Sequence, residues 1–263
     1  MFHIKVVLRM FRSPLIVLLT ASINPGEYSH DVKRADTEVR LRDYMEALRF
    51  WLALNNSNIA GIVFCENTGA DLSSLKFFTA QLGVSKDVEW LSFNGNYRKP
   101  GLHYGYSELG IIDYAMRNSV LMRESRYFVK VTGRLRFPCI SRLLTTLDEE
   151  LLVALDCRRS YRTEGGPPIR VRTQLIFFAT DFYEELFLDR RGEMVGLCTH
   201  IEEYLAYKLW PLRRQPGINL RWKLECNPVG VGAATQSAYH IGRNSLKSII
   251  RGIGRRVVPT TWL

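Results

Sequence analysis

Apolar runs of strand length alternate with segments of helical periodicity along the first half of the chain. Leu15–Leu19 is a continuous run of branched apolar residues, as expected for a central parallel strand. Similar runs follow at Ile59–Cys65, Val88–Phe93 and Tyr127–Val131. Between them, apolar residues recur at helical spacing in residues 40–54, 72–82 and 107–119. This β-α-β-α-β-α-β order predicts an α/β fold with a mostly parallel sheet and helices on both faces.

The second half of the chain is less regular. Residues 151–155 and 174–179 predict strands, and residues 181–188 and 198–210 predict helices. In the tail from Ile241 to Val258, basic residues recur every four positions with apolar residues between them, and no acidic residue occurs. Because no strong linker interrupts the chain, we expect one domain over residues 1–240 and a basic amphipathic extension over residues 241–263.

The extension allows two interpretations. It is either a helix that lies on an anionic membrane surface, or a helix that packs its apolar stripe on the domain and leaves its basic face in water. No segment of the chain approaches the ~20 apolar residues of a membrane span. Basic residues precede Leu15–Leu19, but this run is shorter than the ~7–15 residues of a signal-peptide core, so we expect a buried first strand instead.

The formal net charge of +10 favours an anionic partner, which could be a phosphorylated substrate, a membrane surface or a nucleic acid. The five cysteines are scattered, and neither a CxxC pair nor a zinc-type spacing with histidine occurs. We therefore expect mostly small buried apolar cysteines and a reducing cytoplasm. There is no hydrolase elbow and no GxGxxG after the first strand, which disfavours a dinucleotide enzyme.

Polar side chains follow three of the predicted parallel strands. They are Thr20 and Ser22 after the first strand, Glu66 and Asn67 after the second, and Lys130, Thr132, Gly133 and Arg134 at the end of the fourth. Because ligands of open α/β sheets bind beyond the carboxyl ends of the strands, we expect these groups to form one cleft. Arg binds phosphate as a rigid fork and Lys binds it as a point charge, so Lys130 and Arg134 suit a diphosphate.

The order of these motifs resembles a known family. The series TASINP, FCENTG, GLHYGYSELGIIDYAMRNS and YFVKVTGR, within residues 15–205, is similar to bacterial glycosyltransferases that build cell-surface polysaccharides. Those enzymes make O-antigen of lipopolysaccharide, capsule or exopolysaccharide, and they have a GT-A-like, Rossmann-type nucleotide-sugar domain. The resemblance implies that residues 1–240 form a catalytic domain of this kind, which transfers a sugar from a nucleotide donor to a glycan acceptor that is lipid-linked.

The resemblance also implies roles for residues. Thr20 and Ser22 would lie at the nucleotide, Glu66 and Asn67 near its base, and Lys130, Thr132, Gly133 and Arg134 at the diphosphate. Apart from the resemblance, Arg158 follows the strand predicted over residues 151–155 and is a further candidate for a phosphate contact. His103 and Tyr104 would face the acceptor. Typical GT-A enzymes hold a divalent metal with Asp-x-Asp, which this chain lacks. We therefore expect cationic side chains to stabilise the departing diphosphate, with no metal or other cofactor required.

An inverting transfer needs a carboxylate that takes the acceptor's proton. The candidates are Glu108, Asp156, Glu202 and Glu203, of which Glu202 and Asp156 are preferred. Two alternatives from other classes stay open. One is a basic nucleic-acid-binding protein, although no RNA- or DNA-binding motif supports it, so no nucleic acid is expected. The other is a non-catalytic scaffold of a polysaccharide assembly complex. The expected location is the cytoplasm, with peripheral attachment to the inner face of the cytoplasmic membrane.

Overall fold

A computed structural model describes residues 11–26, 33–97, 102–159, 166–197, 200–232, 239 and 243–257. Seven strands of this part of the chain form a single sheet in the order β3-β2-β1-β4-β6-β5-β7. The strands are β1 (Leu15–Ala21), β2 (Ile59–Glu66), β3 (Asp87–Ser92), β4 (Tyr127–Thr132), β5 (Val153–Arg159), β6 (Ile169–Ala179) and β7 (Ile218–Asn219). The helices are α1 (Thr37–Ala53), α2 (Ser73–Gln81), α3 (Gly105–Asn118), α4 (Val120–Arg123), α5 (Ile140–Leu144), α6 (Thr180–Leu186), α7 (Met194–Leu197), α8 (Ile201–Leu209) and α9 (Arg243–Val257).

The first four strands are parallel, as the sequence predicts. β1 is hydrogen-bonded between β2 and β4, and β3 lies outside β2. All seven residues of β1 are buried because apolar side chains cover both of its faces. One core cluster packs α1 against one face of the sheet, and a second cluster packs α3 and α8 against the other. The predicted α/β class, with a mostly parallel sheet and helices on both faces, is confirmed.

The other half of the sheet contains antiparallel pairs. β6 runs antiparallel to both β4 and β5, so β4 and β5 share one direction although they are not neighbours. β6 begins at Ile169, five residues before the predicted start. Its first half alternates buried and half-buried residues, from Ile169 to Gln174, because only one side chain in two reaches the core.

A disulfide joins two cysteines that the sequence analysis treats as separate residues. Cys139, at the start of α5, is bonded to Cys226, which lies 87 residues further along the chain. Cys65 and Cys157 are buried thiols, as predicted for isolated apolar cysteines, and Cys198 lies outside the described residues. The disulfide fixes the segment after Trp222 against the end of β4, where Arg136 and Val229 form a β-bridge.

The predicted C-terminal helix is present as α9. It lies within the extension expected over residues 241–263, whose division from residues 1–240 stays a prediction. Within the described residues, no helix has both the length and the apolar character needed to cross a bilayer.

Candidate functional site

A cavity of about 290 Å³ lies at the carboxyl ends of β1, β2 and β4. This volume is at the lower end of the ~300–1,000 Å³ typical of small-ligand sites. Many residues predicted from the sequence line the cavity, namely Thr20, Ser22, Asn67, Tyr104, Glu108, Thr132, Arg134 and Glu202. The structure therefore brings together groups from three parallel strand ends and from the starts of α3 and α8.

Polar groups of β1 and β2 meet at the base of the cavity. Ser22 Oγ donates a hydrogen bond to Asn67 Oδ1 at 2.5 Å, and Thr20 Oγ1 donates to the carbonyl of Val131 at 3.2 Å. The amide nitrogen Nδ2 of Asn67 has no hydrogen-bond acceptor among the described residues. Because an unsatisfied buried donor is costly, Asn67 Nδ2 is suited to donate to an oxygen of a bound ligand.

Glu66 is not among the residues that line the cavity. Its side chain is fully buried, and its carboxylate accepts hydrogen bonds from the backbone nitrogens of Ile23, Thr68 and Ala70 at 2.9–3.1 Å. The hydroxyl of Thr68 also donates to it. The carboxylate thus joins the loops after β1 and β2. Glu66 therefore positions these two loops, whereas the sequence suggests that it contacts the nucleobase of the ligand directly.

Positive charge reaches the cavity from Arg134 and from Arg40 of α1. Arg134 Nη1 donates to the carbonyl of Val231 at 2.9 Å and lies 4.0 Å from Asp43 Oδ2. Asp43 already forms a paired hydrogen bond with Arg34, at 2.6 and 2.8 Å. Arg40 donates to the carbonyls of Ser22 and Arg34 and to the Tyr44 hydroxyl, at 2.6–3.2 Å, and all of these acceptors are neutral. Asp43 therefore meets two arginines, Arg34 and Arg134, and Arg40 adds a third positive charge on neutral acceptors.

Arg40 and Tyr44 line the cavity, although the sequence analysis assigns neither residue a role in the site. The signal was present, because they are separated by four positions and so lie on the same face of α1 as the buried Leu48 and Trp51. A buried arginine on a helix face that is otherwise apolar is unusual, since arginines rarely lose all solvent contact without partners.

Lys130 does not reach the cavity wall. Its side chain is 1% exposed, and its ammonium group forms an ion pair with Glu108 and donates to the carbonyl of Thr173 at 2.7 Å. The expectation of two cationic side chains facing a diphosphate is corrected in this respect, because the Lys130 charge is neutralised by Glu108. Glu108 itself lines the cavity beside Thr132, whose hydroxyl is 3.5 Å from its Oε1.

Gly133 has a packing role that the sequence analysis did not foresee. A Cβ atom at this position would lie 2.8 Å from the carbonyl oxygen of Thr20 and 3.3 Å from the Tyr44 ring. The backbone nitrogen of Gly133 donates to that same carbonyl at 2.9 Å. Glycine is therefore required where the chain leaves β4 and passes close to β1. The next two residues, Arg134 and Leu135, line the cavity.

The opposite wall is formed by the starts of α3 and α8. These helices are in close contact, since a Cβ atom on Gly105 would lie 2.5 Å from Ile201 Cγ2. The contact places Tyr104 and Glu202 on one side of the cavity. Burial, followed by the nearby charges of Glu202 and Glu108, raises the pKa of Tyr104, so its hydroxyl stays protonated and can donate.

Glu202 is the cavity carboxylate without a strong partner in the described chain. Its Oε2 lies 3.8 Å from Arg170 Nη2 and accepts no hydrogen bond from the described residues. Its side chain is 16% exposed. A carboxylate that is partly buried, lines a cavity and has an oxygen without a hydrogen-bond donor can accept a proton from a bound hydroxyl group.

His103, His200 and Glu202 form the one group in the described residues that could hold a metal ion. One ligating atom from each lies within 4.8 Å of the others, and the two imidazole rings are 4.3 Å apart. His103 also accepts a hydrogen bond at Nδ1 from the Gly105 backbone, at 3.3 Å. Two imidazoles and a carboxylate are a ligand set found at zinc sites. The sequence predicts no metal, and this group is the place to test that prediction.

Asp156 and Arg158 do not line the cavity. Asp156 is 1% exposed, and its carboxylate pairs with Arg255 at 2.6 Å and with Arg172 at 3.7 Å. Arg158 pairs with Glu225 at 3.7 Å, and burial, together with Arg172 and Arg251, lowers its pKa to about 10. Both residues belong to a network that holds α9 on the domain. The suggestions of a catalytic base at Asp156 and a phosphate contact at Arg158 are corrected accordingly.

Comparison with known proteins gives a fold but no family. No family model matches the chain, and no curated protein matches it in sequence. The structure is similar to that of the inositol-1-phosphate CTP transferase from T. maritima, with a TM-score of 0.50 and 12% identity over 92% of this chain and 97% of that chain. This likeness supports a GT-A-like fold, as predicted.

Two weaker likenesses are to core-mannan synthase A from Aspergillus fumigatus and to a proposed nucleotide-diphospho-sugar transferase from Desulfovibrio desulfuricans. The first has a TM-score of 0.49 and 9% identity, and covers 94% of this chain and 91% of the other. The second has a TM-score of 0.44 and 15% identity, and covers 80% of each chain. The first of these two is named as a synthase, in a Mn/GDP form, and the second is named as a transferase.

Proposed function

We propose that this protein is a transferase that binds a nucleotide diphosphate-sugar in the cavity and moves the sugar to a hydroxyl acceptor. The observation that carries the proposal is the separation of charge across the cavity. Arg40 and Arg134 reach it from α1 and β4, and Glu202 reaches it from α8. Cations on one side suit a diphosphate leaving group, and a carboxylate on the other suits removal of a proton from the acceptor.

The arginine cluster can supply the charge for which many such enzymes use a metal. Arg40 and Arg134 line the cavity, and Asp43 is paired with Arg34, so the two cavity arginines supply positive charge that suits a diphosphate. In this proposal Arg134 binds the diphosphate, Asn67 donates to the nucleoside, and Lys130 acts indirectly by holding Glu108 and Thr132 in place. The acceptor enters beside Tyr104 and Glu202, and Glu202 is the general base.

The biological setting is also part of the proposal. The resemblance to enzymes of bacterial surface polysaccharides suggests a glycan acceptor linked to lipid.

The proposal is tested by separating donor binding from transfer. In Arg134→Gln, we expect the affinity for the best nucleoside diphosphate to fall by about 10–100-fold, because a charge-assisted hydrogen bond of about 1.5–3 kcal/mol is lost. In Glu202→Gln, donor affinity should remain and transfer should fall by about 100-fold or more. Arg136→Gln and Glu203→Gln are matched controls, since Arg136 pairs with the exposed Glu46 and Glu203 is the neighbour of Glu202 on α8.

Calorimetry with nucleoside mono-, di- and triphosphates, followed by a screen of nucleotide-sugars for diphosphate release, gives the two readouts. If Arg134→Gln and Glu202→Gln leave both binding and transfer unchanged, the proposed site is wrong. Release of pyrophosphate from a nucleoside triphosphate and a sugar phosphate would instead indicate a nucleotidyltransferase, which is the named activity of the T. maritima protein.

A further inference from the structure

Helix α9 exposes its apolar side chains. Ile249, Ile250 and Ile253 are 57–58% exposed, and Val257 is 72% exposed. These positions lie on one stripe of the helix, because residues three or four apart share a face. A surface helix of a globular protein ordinarily turns such a stripe toward the core. α9 has the opposite orientation, so its apolar stripe is available to a partner.

The inward face of α9 is polar and is held by ion pairs. Arg255 is 4% exposed, and its guanidinium binds Asp156 at 2.6 Å and Glu225 at 2.9 Å and donates to the carbonyl of Trp222 at 2.5 Å. One turn earlier, Arg251 lies 3.5 Å from Glu225. Turning the helix to bury its isoleucines would remove Arg255 from two buried carboxylates. Because an uncompensated buried charge is strongly destabilising, the outward orientation of the stripe is fixed by this network.

The charge of the helix identifies the kind of partner. No acidic residue occurs after Glu225, and the helix carries Arg243, Lys247 and Arg256 in addition to the two inward arginines. At about 3.6 residues per turn, positions 243 and 247 lie to one side of the apolar stripe and position 256 lies to the other. An apolar stripe between basic positions is the pattern of a helix that lies in the interface of an anionic membrane.

We propose that α9 docks the protein on an anionic lipid bilayer, with the side chains of Ile249, Ile250, Ile253 and Val257 inserted among the lipids. A second copy of the chain suits this surface less well. A twofold contact through the stripe would bring together two segments that contain basic residues and no acid, whereas anionic headgroups neutralise the same charge. This inference stands apart from the proposed transferase activity, because it depends on α9 and not on the cavity.

The position of the network also relates the helix to the cavity. Asp156 binds Arg172 as well as Arg255, and Arg172 precedes the cavity-lining residue Thr173 on β6. The network that holds α9 is therefore linked to the cavity wall through neighbouring residues of β6.

The test is flotation of the full chain with phosphatidylcholine vesicles that either contain or lack phosphatidylglycerol. We expect binding to the anionic vesicles, weaker binding in high salt, and little binding to the neutral vesicles. In the double variant Ile249→Glu and Ile253→Glu, the partition coefficient should fall by about tenfold or more, since both apolar contacts are replaced by charges that the headgroups repel. Phe77→Glu is the matched control, because Phe77 is an equally exposed apolar residue on α2.

Three outcomes would overturn the inference. The first is no binding of the natural chain to anionic vesicles at millimolar lipid, and the second is unchanged binding of the double variant. The third is that the natural chain forms a concentration-dependent dimer, does not bind vesicles, and loses the dimer in the double variant. That result would mean that a second copy of the chain, and not a bilayer, covers the apolar stripe. Nucleoside diphosphate affinity, measured on the same samples, shows whether the variant is folded and whether the cavity proposal fails separately.

Discussion

Replacement of Glu66 by Gln tests whether this residue positions the site or binds the ligand. The carboxylate accepts from three backbone nitrogens and from Thr68 Oγ1, so both of its oxygens receive hydrogen bonds. A glutamine amide keeps one acceptor oxygen and puts an NH₂ group in the place of the other. Wherever that NH₂ group lies, it faces a backbone N–H group, and two donors cannot form a hydrogen bond.

The magnitude follows from these contacts. If the amide nitrogen takes the place of Oε2, the Ala70 N–H group loses its acceptor, which costs about 1–3 kcal/mol for a buried donor. The bonds that remain on Oε1, from Ile23 and Thr68, change from charged to neutral and each weakens by about 1 kcal/mol. We therefore expect Glu66→Gln to lower the free energy of unfolding by about 3–5 kcal/mol. For a chain of this size, that corresponds to a fall in Tm of about 10 °C.

Urea unfolding followed by tryptophan fluorescence gives the measurement, with circular dichroism as a second probe for two-state behaviour. Glu46→Gln is the control, because it is the same chemical change at a side chain that is 59% exposed and paired with Arg136. This control substitution should lower the free energy of unfolding by less than about 1 kcal/mol. The reasoning is refuted if Glu66→Gln unfolds within about 0.5 kcal/mol of the natural chain. Loss of nucleotide affinity without loss of stability would indicate instead that Glu66 contacts the nucleotide directly, as its position in the sequence suggests.

Two further predictions concern pH and metal. Burial raises the pKa of Asp113 to about 6, and the hydrogen bond from Tyr183 and the charges of Arg191 and Arg117 oppose this shift only in part. Near pH 5 the folded state therefore retains a proton that the unfolded state releases. The free energy of unfolding should therefore fall as pH rises from about 4 to about 6, by at most about 3 kcal/mol, and urea titrations of Asp113→Asn should lack this component. The arginine cluster leads us to expect nucleoside diphosphate affinities in EDTA and in Mn²⁺ that agree within about threefold by calorimetry. A gain of about tenfold or more with Mn²⁺ that His200→Ala abolishes would contradict this and place a metal at His103, His200 and Glu202.

The sequence predicts the first half of the fold well because the signal for each element lies within a short stretch of the chain. β1, β2 and β4 are short, mainly apolar runs, and each intervening helix has its own periodic face, so these elements are encoded within their own residues. β6 shows how such a signal can be overlooked. Its first six residues alternate apolar or small with long polar side chains, which is the period of a strand with one buried face. The continuous apolar run begins only at Leu175, and it is this run that suggests a strand at first sight.

The ionic contacts of the site cannot be found in the same way. Lys130 and Glu108 are 22 residues apart, and Asp156 and Arg255 are 99 residues apart. Which cation meets which carboxylate depends on how separate elements pack, and no spacing in the chain encodes it. A charged residue at a strand end is therefore a candidate for ligand binding only until its partner is known. Sequence alone could not distinguish Arg134, which lines the cavity, from Lys130, whose charge is taken up by Glu108.

These pairings also explain why the net charge of the chain is a poor guide to its site. The strand end at Lys130 and Arg134 contains two cations in sequence, but the Lys130–Glu108 pair contributes no net charge to the cavity. The positive potential must come instead from Arg134 and from Arg40, a residue of another element whose donors all meet neutral acceptors in the described structure. If this account is right, Arg40→Gln should weaken nucleoside diphosphate binding at least as much as Lys130→Met. The reverse order of effects would mean that Lys130 leaves Glu108 when the ligand binds.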